Sequence, residues 1–342
     1  MRLVQPLLVL IASVPASAFA DDAPSPGVLP IVASVIPGFV IPGAGSFVAT
    51  KRSMSLKLLE MAGIGLGMAI IGGESIVISG SNPRASGIGG PVLVAGVGLF
   101  ETAWLTDVYN VVGLPHGTPR THPPYSLEAG VSWTHDAYRD RALLHAVGQA
   151  IPHERIELIA EGHRSYDGAY KDGNLAARVR ILHPHFLDDS FDGSYLEIRA
   201  AGRIRDDSAD MTQAFTMEAE VGGRLDLHHI SSLPRGVFAE LSTGLGEERS
   251  AYAMAHDWNS LLLARVAWGM YLGHSGELSI YYDHRRDSIA GGFASWHAAG
   301  FFGSFGARAD LRVTEQYAVH AEFEWGSATV STVGIRYEGG PR

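Results

Sequence analysis

The chain has 342 residues, no cysteine, 41 glycines and a formal net charge of −10. Without cysteine no disulfide can stabilise the fold, and an acidic chain does not suit a nucleic-acid backbone, so we expect no nucleic-acid partner. A mean hydropathy of +0.09 is too low for a bundle of transmembrane helices. It suits a membrane barrel, in which only alternate side chains meet lipid.

The first twenty residues have the pattern of a secretory signal peptide. Arg2 supplies a short positive region, residues 7–14 an apolar stretch, and Ala18 and Ala20 the small residues that a signal peptidase recognises. We therefore expect residues 1–20 to be a signal peptide cleaved near Ala20, followed by a linker over 21–27. A short membrane anchor is the alternative.

Residues 28–113 form an apolar, glycine-rich region without alternation. Small residues recur at four-residue spacing, as at Gly63 and Gly67 and at Gly65 and Ala69, which lets helices approach closely in an apolar setting. Acids at Glu60, Glu74, Glu101 and Asp107 lower the hydrophobicity of the two better helix candidates. Such acids would help the region to avoid arrest in the inner membrane. We predict a helical hairpin that plugs a barrel or lies at its periplasmic mouth.

The short linker over 114–124 argues against a chain that spans two membranes. Eleven residues reach roughly 40 Å at most, which is less than the usual width of a periplasm. An inner-membrane protein with an adjoining β domain remains the competing interpretation for this part of the chain.

Residues 125–338 alternate between apolar and polar positions, in segments of about ten residues bounded by turn-forming residues. Eleven segments are clear, and a weaker one near 142–148 makes twelve, although ten or fourteen remain open. Short turns near 152–153, 231–234, 274–275 and 314–316 predict one end of a barrel. Longer connections, such as 247–258 and 286–294, predict the other end, although 183–193 and 326–328 break the rule. Residues 339–342 are a tail.

Charged residues occupy the opposite parity of these segments. A charge that faced lipid at mid-depth would cost about 2–4 kcal/mol, so we expect this parity to face the lumen. Opposite charges on neighbouring strands can pair across the ladder. They would then either hold the barrel together or line a conduit that selects solutes. The predicted lumen charges are Glu157, Glu161, Arg178, Arg180, Glu197, Arg199, Arg203, Glu218, Glu220, Arg224, Arg308, Asp310, Arg312, Glu322, Glu324 and Arg336.

Aromatic residues near segment ends predict the two membrane interfaces, where amphipathic rings settle. These residues are Trp133, Tyr282, Tyr317, Trp325 and Tyr337. A soluble antiparallel sandwich also alternates and is the alternative fold. An open sheet of this size, however, would expose edges that a closed barrel does not have.

Over residues 125–337 the chain resembles Gram-negative bacterial outer-membrane β-barrel proteins as a class. Thr332 to Tyr337 resembles the final strand of such proteins, which often ends on an aromatic residue, although five residues follow it here. The resemblance implies an all-β transmembrane antiparallel barrel in the outer membrane. It also implies contact with outer-membrane lipid and insertion by the barrel-assembly machinery.

Histidine, with fifteen copies, is the one conspicuous reactive residue. His183, His185 and His228 are weak candidates for a metal site at the rim, and we expect no metal and no cofactor. No phosphate-binding loop, metalloprotease helix or nucleophile elbow is present, so no catalytic residue is predicted.

Three functions of different class follow. A channel, porin-like or plugged, with a charged lumen is the first. A structural or surface-anchoring barrel without conductance is the second, and an outer-membrane enzyme that modifies lipid is the third.

Overall fold

The computed structural model describes residues 27–78, 83–114, 123–136, 140–182, 192–208, 211–252, 255–285, 289 and 303–340. The expected signal peptide, most of the linker over 114–124 and two metal candidates, His183 and His185, lie outside these ranges. The described residues form two compact units. A barrel unit comprises 123–225 and 238–340, and a helical unit comprises 27–114 and 226–237.

The helical unit contains, among its described residues, helices α1 (Val28–Val35), α2 (Ala44–Val48), α3 (Arg52–Ile78) and α4 (Pro83–Val112). A Cβ on Gly65 would lie 2.7 Å from the carbonyl oxygen of Gly96, and one on Gly96 would lie 2.3 Å from the amide nitrogen of Ala69. Helices α3 and α4 therefore contact each other backbone to backbone at Gly65 and Ala69. Added Cβ atoms at Gly63 and Gly67 would meet nothing within 4 Å.

A buried carboxylate holds the start of this unit together. Asp107 of α4 is fully buried and accepts hydrogen bonds from the backbone amides of Gly43 (3.1 Å), Gly45 (2.9 Å) and Ser46 (2.8 Å). These amides belong to the first turn of α2 and the residue before it, where a helix leaves its N–H groups without internal partners. The acid that lowers the hydrophobicity of α4 thus has a structural role.

Helices α3 and α4 each contain a stretch that could cross a membrane by length and composition, Arg52–Val77 and Gly89–Val112. Helices buried inside a protein meet the same criterion of length and composition, so the criterion alone does not identify a membrane span. Within the helical unit, Leu58, Ala62 and Ala103 form a buried cluster against which Phe100 and Leu233 pack.

The described residues of the barrel unit form twelve strands that close into one antiparallel barrel. Each strand pairs with its neighbours in sequence, and β1 pairs with β12 from Tyr125 opposite Gly339 to His135 opposite Thr329. The predicted count of twelve is confirmed, and the weaker segment is β2. The strands are β1 Tyr125–His135, β2 Asp140–His153, β3 Ile156–Ser165, β4 Tyr170–Leu182, β5 Tyr195–Asp207, β6 Thr212–Asp226, β7 Val237–Tyr252, β8 Ala255–Tyr271, β9 Gly276–Asp283, β10 Ser304–Arg312, β11 Tyr317–Trp325 and β12 Thr329–Gly339.

The outer face of the barrel is apolar and exposed. Leu175, Ile204, Met217 and Leu245 are each more than half exposed, although each lies within a strand. A closed barrel with such an exterior and a charged interior matches a transmembrane barrel, because its backbone groups are paired and its apolar side chains face lipid. The prediction of a closed transmembrane β-barrel is confirmed, and the soluble sandwich is wrong.

The predicted interface aromatics lie near strand ends. Trp133, Tyr282 and Trp325 are near the end of the barrel opposite its termini, and Tyr317 and Tyr337 are near the terminal end. The last two are paired in register, with ring centroids 5.6 Å apart. In an outer-membrane barrel with an even strand count, the terminal end is periplasmic and the opposite end is external.

The expected contrast between short periplasmic turns and long external loops is wrong for most hairpins. Strands β7 and β8 extend through the expected loop 247–258 and leave two residues between them. The external connections 136–139, 166–169, 208–211 and 326–328 are also short, at three or four residues, whereas the β9–β10 connection spans 284–303. A strand that continues beyond the hydrocarbon needs no apolar face, so its sequence loses the alternation and resembles a loop.

Candidate functional site: the barrel lumen

The inward side chains of the barrel enclose a cavity of about 550 Å³. Among the described residues, twelve carboxylates and nine guanidinium groups line it. The strands create this surface because successive side chains alternate between the two faces of a sheet, so each charged position faces inward when its neighbours face lipid. The lumen is therefore strongly polar, with a small excess of acidic groups among the described residues.

Thirteen of the sixteen predicted lumen charges line this cavity. The other three pair with charged inward residues. Glu157 contacts Arg178, Glu218 accepts from Arg199, and Arg312 donates to Glu338. The thirteen predicted residues that line the cavity are Glu161, Arg178, Arg180, Glu197, Arg199, Arg203, Glu220, Arg224, Arg308, Asp310, Glu322, Glu324 and Arg336.

One set of ion pairs joins neighbouring strands. Arg178 of β4 contacts Glu157 on β3, and its Nη1 is 3.5 Å from Oε1 of Glu197 on β5. Glu157 is almost completely buried, so its charge depends on this guanidinium. Across the next pair of strands, Arg199 Nη1 donates to Glu220 Oε1 at 2.7 Å. These contacts follow the ladder, as an alternating charge pattern predicts.

A second set of ion pairs joins strands that are not neighbours. Arg141 of β2 donates to Asp207 of β5 at 2.7 Å, and Arg224 of β6 donates to Glu277 of β9 at 2.8 Å. In each case two strands lie between the partners in the barrel order. The two bridges therefore span an arc of the lumen instead of following its wall.

Arg285, in the connection after β9, forms a third such bridge. Its Nη2 donates to Glu218 Oε2 at 2.9 Å and to Glu220 Oε1 at 2.7 Å, both on β6. Arg199 donates to the same two carboxylates from β5. Two guanidinium groups therefore hold two carboxylates toward the external end of the lumen.

Aromatic rings support charged groups at both ends of the lumen, Phe238 toward the periplasmic end and Tyr281 toward the external end. The guanidinium carbon of Arg224 lies 3.9 Å from the ring centroid of Phe238, and its Nε donates to Glu240 at 2.7 Å. The Tyr281 hydroxyl lies 2.6 Å from Glu322 Oε1 and 2.9 Å from Glu324 Oε1. Stacking and hydrogen bonding fix the direction of each charged group, which keeps the lumen ordered.

Sequence reasoning missed several lumen residues, including Arg141, Asp207, Glu277 and Arg285. Arg141 and Glu277 lie at strand positions where a parity argument could have included them. No spacing along the chain, however, indicates which residues meet across a lumen. Arg285 lies beyond the end of β9, where alternation no longer applies.

The histidines of the lumen were not predicted to form a site, but three donors cluster there. Among the described residues, the group with metal-like spacing is His145, Glu161 and His163. The predicted candidate His228 is not part of it. His228 lies in the helical unit, where its ring packs on that of His229 with centroids 4.0 Å apart.

No protein-family model and no curated protein sequence matches this chain. Solved structures with a similar architecture include a KdgM porin, 7% identical, which covers 62% of this chain and 99% of its own with a TM-score of 0.39. A NanC porin is 9% identical, with coverages of 62% and 100% and a TM-score of 0.40. The outer membrane protein Omp33 of Acinetobacter baumannii is 6% identical, with coverages of 65% and 100% and a TM-score of 0.34.

Proposed function

We propose that this protein is an outer-membrane channel, a porin-like barrel whose charged lumen passes small hydrophilic solutes. The observation that carries the proposal is the cavity of about 550 Å³, lined among the described residues by twelve carboxylates and nine guanidinium groups. Charged rings inside a pore select solutes by sign and size. The small excess of carboxylates favours cations over anions.

The bridge at Arg285 would limit the passage of solutes. Its guanidinium group spans from the β9–β10 connection to Glu218 and Glu220 on β6. A solute must displace it or pass beside it. Removal of this side chain would widen the pathway and uncover two carboxylates, which would raise conductance and cation preference together.

Single-channel recording in planar bilayers tests the proposal with the full mature chain. We expect discrete openings for the wild-type protein, with larger conductance and stronger cation preference for Arg285→Ala. Arg155→Ala is the control, because it removes an arginine side chain of the same kind from an exposed position in the β2–β3 turn, away from the lumen lining. Its conductance should equal that of wild type. If neither the wild type nor Arg285→Ala shows channel openings, the channel proposal is refuted.

A structural barrel without conductance is the second candidate. The bridges Arg141–Asp207 and Arg224–Glu277 favour it, because ion pairs across a lumen stabilise the wall at the expense of an open path. This candidate predicts no openings in any variant, and a lower midpoint of urea unfolding when Arg224 is replaced by glutamine.

Export and assembly complete the proposal. We propose that residues 1–20 direct secretion and are removed near Ala20, and that the barrel-assembly machinery inserts the mature chain. Amino-terminal sequencing of protein purified from outer membranes should begin at Asp21. A start at Met1 would contradict cleavage. The position of the region 28–113, as a plug or at the periplasmic mouth, stays a prediction.

A further inference from the structure

Two histidines and a glutamate face one another inside the lumen, close to the external end of β3. His145 of β2 and His163 of β3 are directly opposed in register, and His145 Nδ1 lies 2.8 Å from His163 Nε2. Glu161 lies on the same face of β3, two residues before His163, and its Oε1 is 3.9 Å from His163 Nε2. One donor atom from each residue lies within 4.8 Å of the other two.

These separations suit a bound transition-metal ion. With bonds of about 2.0–2.1 Å in tetrahedral geometry, two ligand atoms lie roughly 3.3 Å apart. The observed distances of 2.8 Å and 3.9 Å lie on either side of that value, so small side-chain rotations would bring the donors into place. Two imidazoles and one carboxylate are a donor set that Zn²⁺ accepts readily.

We propose that His145, Glu161 and His163 bind a divalent transition-metal ion, with Zn²⁺ the best-matched probe. Three protein ligands leave the fourth position of a tetrahedral ion open. All three residues line the cavity, and the side chains of His163 and Glu161 remain 11% and 34% exposed. The open position therefore faces the lumen and is accessible to water or to a passing solute.

The surroundings of His145 orient it as a metal ligand. Its Nε2 is buried without a hydrogen-bond partner among the described residues, yet lies only 3.4 Å from Glu128 Oε1. Arg336 holds Glu128 in place, with Nε donating to Oε2 at 2.9 Å. If Nε2 carries the proton, it faces a carboxylate, and the lone pair on Nδ1 points toward His163. Carboxylates commonly orient metal-bound histidines in this way.

The carboxylate of Glu161 is loosely held in the structure. Its contacts with Asn174 Nδ2, at 3.5 Å, and with His163 Nε2, at 3.9 Å, are both long. A partly buried carboxylate usually gains closer donors, because taking its charge out of water is costly. A cation held between Glu161 and the two histidines would supply that missing interaction.

Isothermal titration calorimetry of the full chain in detergent, without a histidine tag, tests the site directly. We expect one Zn²⁺ per chain, no heat with Mg²⁺, and at least tenfold weaker Zn²⁺ binding in His163→Gln and in Glu161→Gln. The double variant His228→Gln/His229→Gln is the control, because it removes an exposed histidine pair far from the donors in sequence. It should bind Zn²⁺ as the wild type does.

A fourth variant keeps the test decisive if a ligand substitution impairs folding. Glu128→Gln leaves all three ligands in place and should weaken Zn²⁺ binding by about 10–100-fold, the usual effect of losing an orienting carboxylate. Heat-modifiable gel mobility establishes that each variant is a folded barrel. Equal Zn²⁺ affinity in the wild type and in folded His163→Gln would overturn the proposal. So would loss of binding in the His228/His229 control alone.

Discussion

An arginine placed on the lipid-facing wall tests the membrane assignment most directly. Leu175 of β4 is 69% exposed and lies one residue from the centre of this 13-residue strand. A strand rises about 3.4 Å per residue and tilts by about 40°, so each residue changes depth by about 2.6 Å. Leu175 therefore lies within about 3 Å of mid-depth. Leu175→Arg should destabilise the barrel by about 2–4 kcal/mol.

Leu182→Arg is the control, with the same change at the last residue of the same strand, which a register shift after Arg180 leaves 60% exposed. Six residues from the centre correspond to about 16 Å, beyond the half-height of a lipid-facing band about 25 Å tall. The cost there should be about 0–1 kcal/mol.

Reversible urea unfolding in lipid vesicles, followed by tryptophan fluorescence, measures both differences. If both variants change the free energy of unfolding by less than about 0.5 kcal/mol, as surface substitutions in water usually do, Leu175 does not face hydrocarbon. A larger cost for Leu182→Arg than for Leu175→Arg would contradict the depth assigned to the strand.

Two further predictions concern the closing seam of the barrel and the helical unit. A Cβ on Gly130 of β1 would lie 2.3 Å from the carbonyl oxygen of Val333 on β12, so Gly130→Ala should cost about 1–3 kcal/mol in urea unfolding. Gly148→Ala, where an added Cβ meets nothing within 4 Å, should be neutral or slightly stabilising, and equal effects would refute the steric argument. Asp107→Asn removes the negative charge of the side chain that accepts three amide hydrogen bonds. Weakening these bonds should make local opening about 2 kcal/mol easier, so the Gly45 amide should exchange hydrogen about 30-fold faster. Unchanged exchange would mean that the carboxylate does not hold α2.

The charges of the lumen combine two demands on one surface. Oppositely charged groups in a confined space attract strongly, so a pair such as Arg224 and Glu277 adds stability. The same pair occupies the space that a solute needs. Nearly balanced charge keeps the wall from repelling itself, and a local imbalance such as the one left by Arg285→Ala would determine which ions pass.

Much of the barrel could be predicted from the sequence because lipid and lumen impose a period of two on every strand. From Gly173 to Ile181 the parity that carries Leu175 is free of charge, and the parity that carries Arg178 and Arg180 is not. The count of twelve strands followed from that pattern, including the weak segment that became β2. Loop lengths did not follow, since the ends of β7 and β8 extend beyond the apolar zone and lose the pattern.

The candidate metal donors illustrate what sequence spacing does not reveal. Sequence reasoning considered His183 and His185 because their two-residue spacing is visible along the chain. His145 and His163 are 18 residues apart and meet only because strands β2 and β3 pair in one register. A shift of that register by one residue would turn His163 away from His145.

Alternation along the chain is a local property, set by the lipid that every strand must face, and by itself it determined the parity of the inward side chains and favoured a barrel over a soluble sandwich. The partners of those inward side chains depend on closure, tilt and register, which bring together residues as distant as Glu128 and Arg336. Only the tertiary structure decided those contacts, because no segment carries information about what lies across the lumen from it.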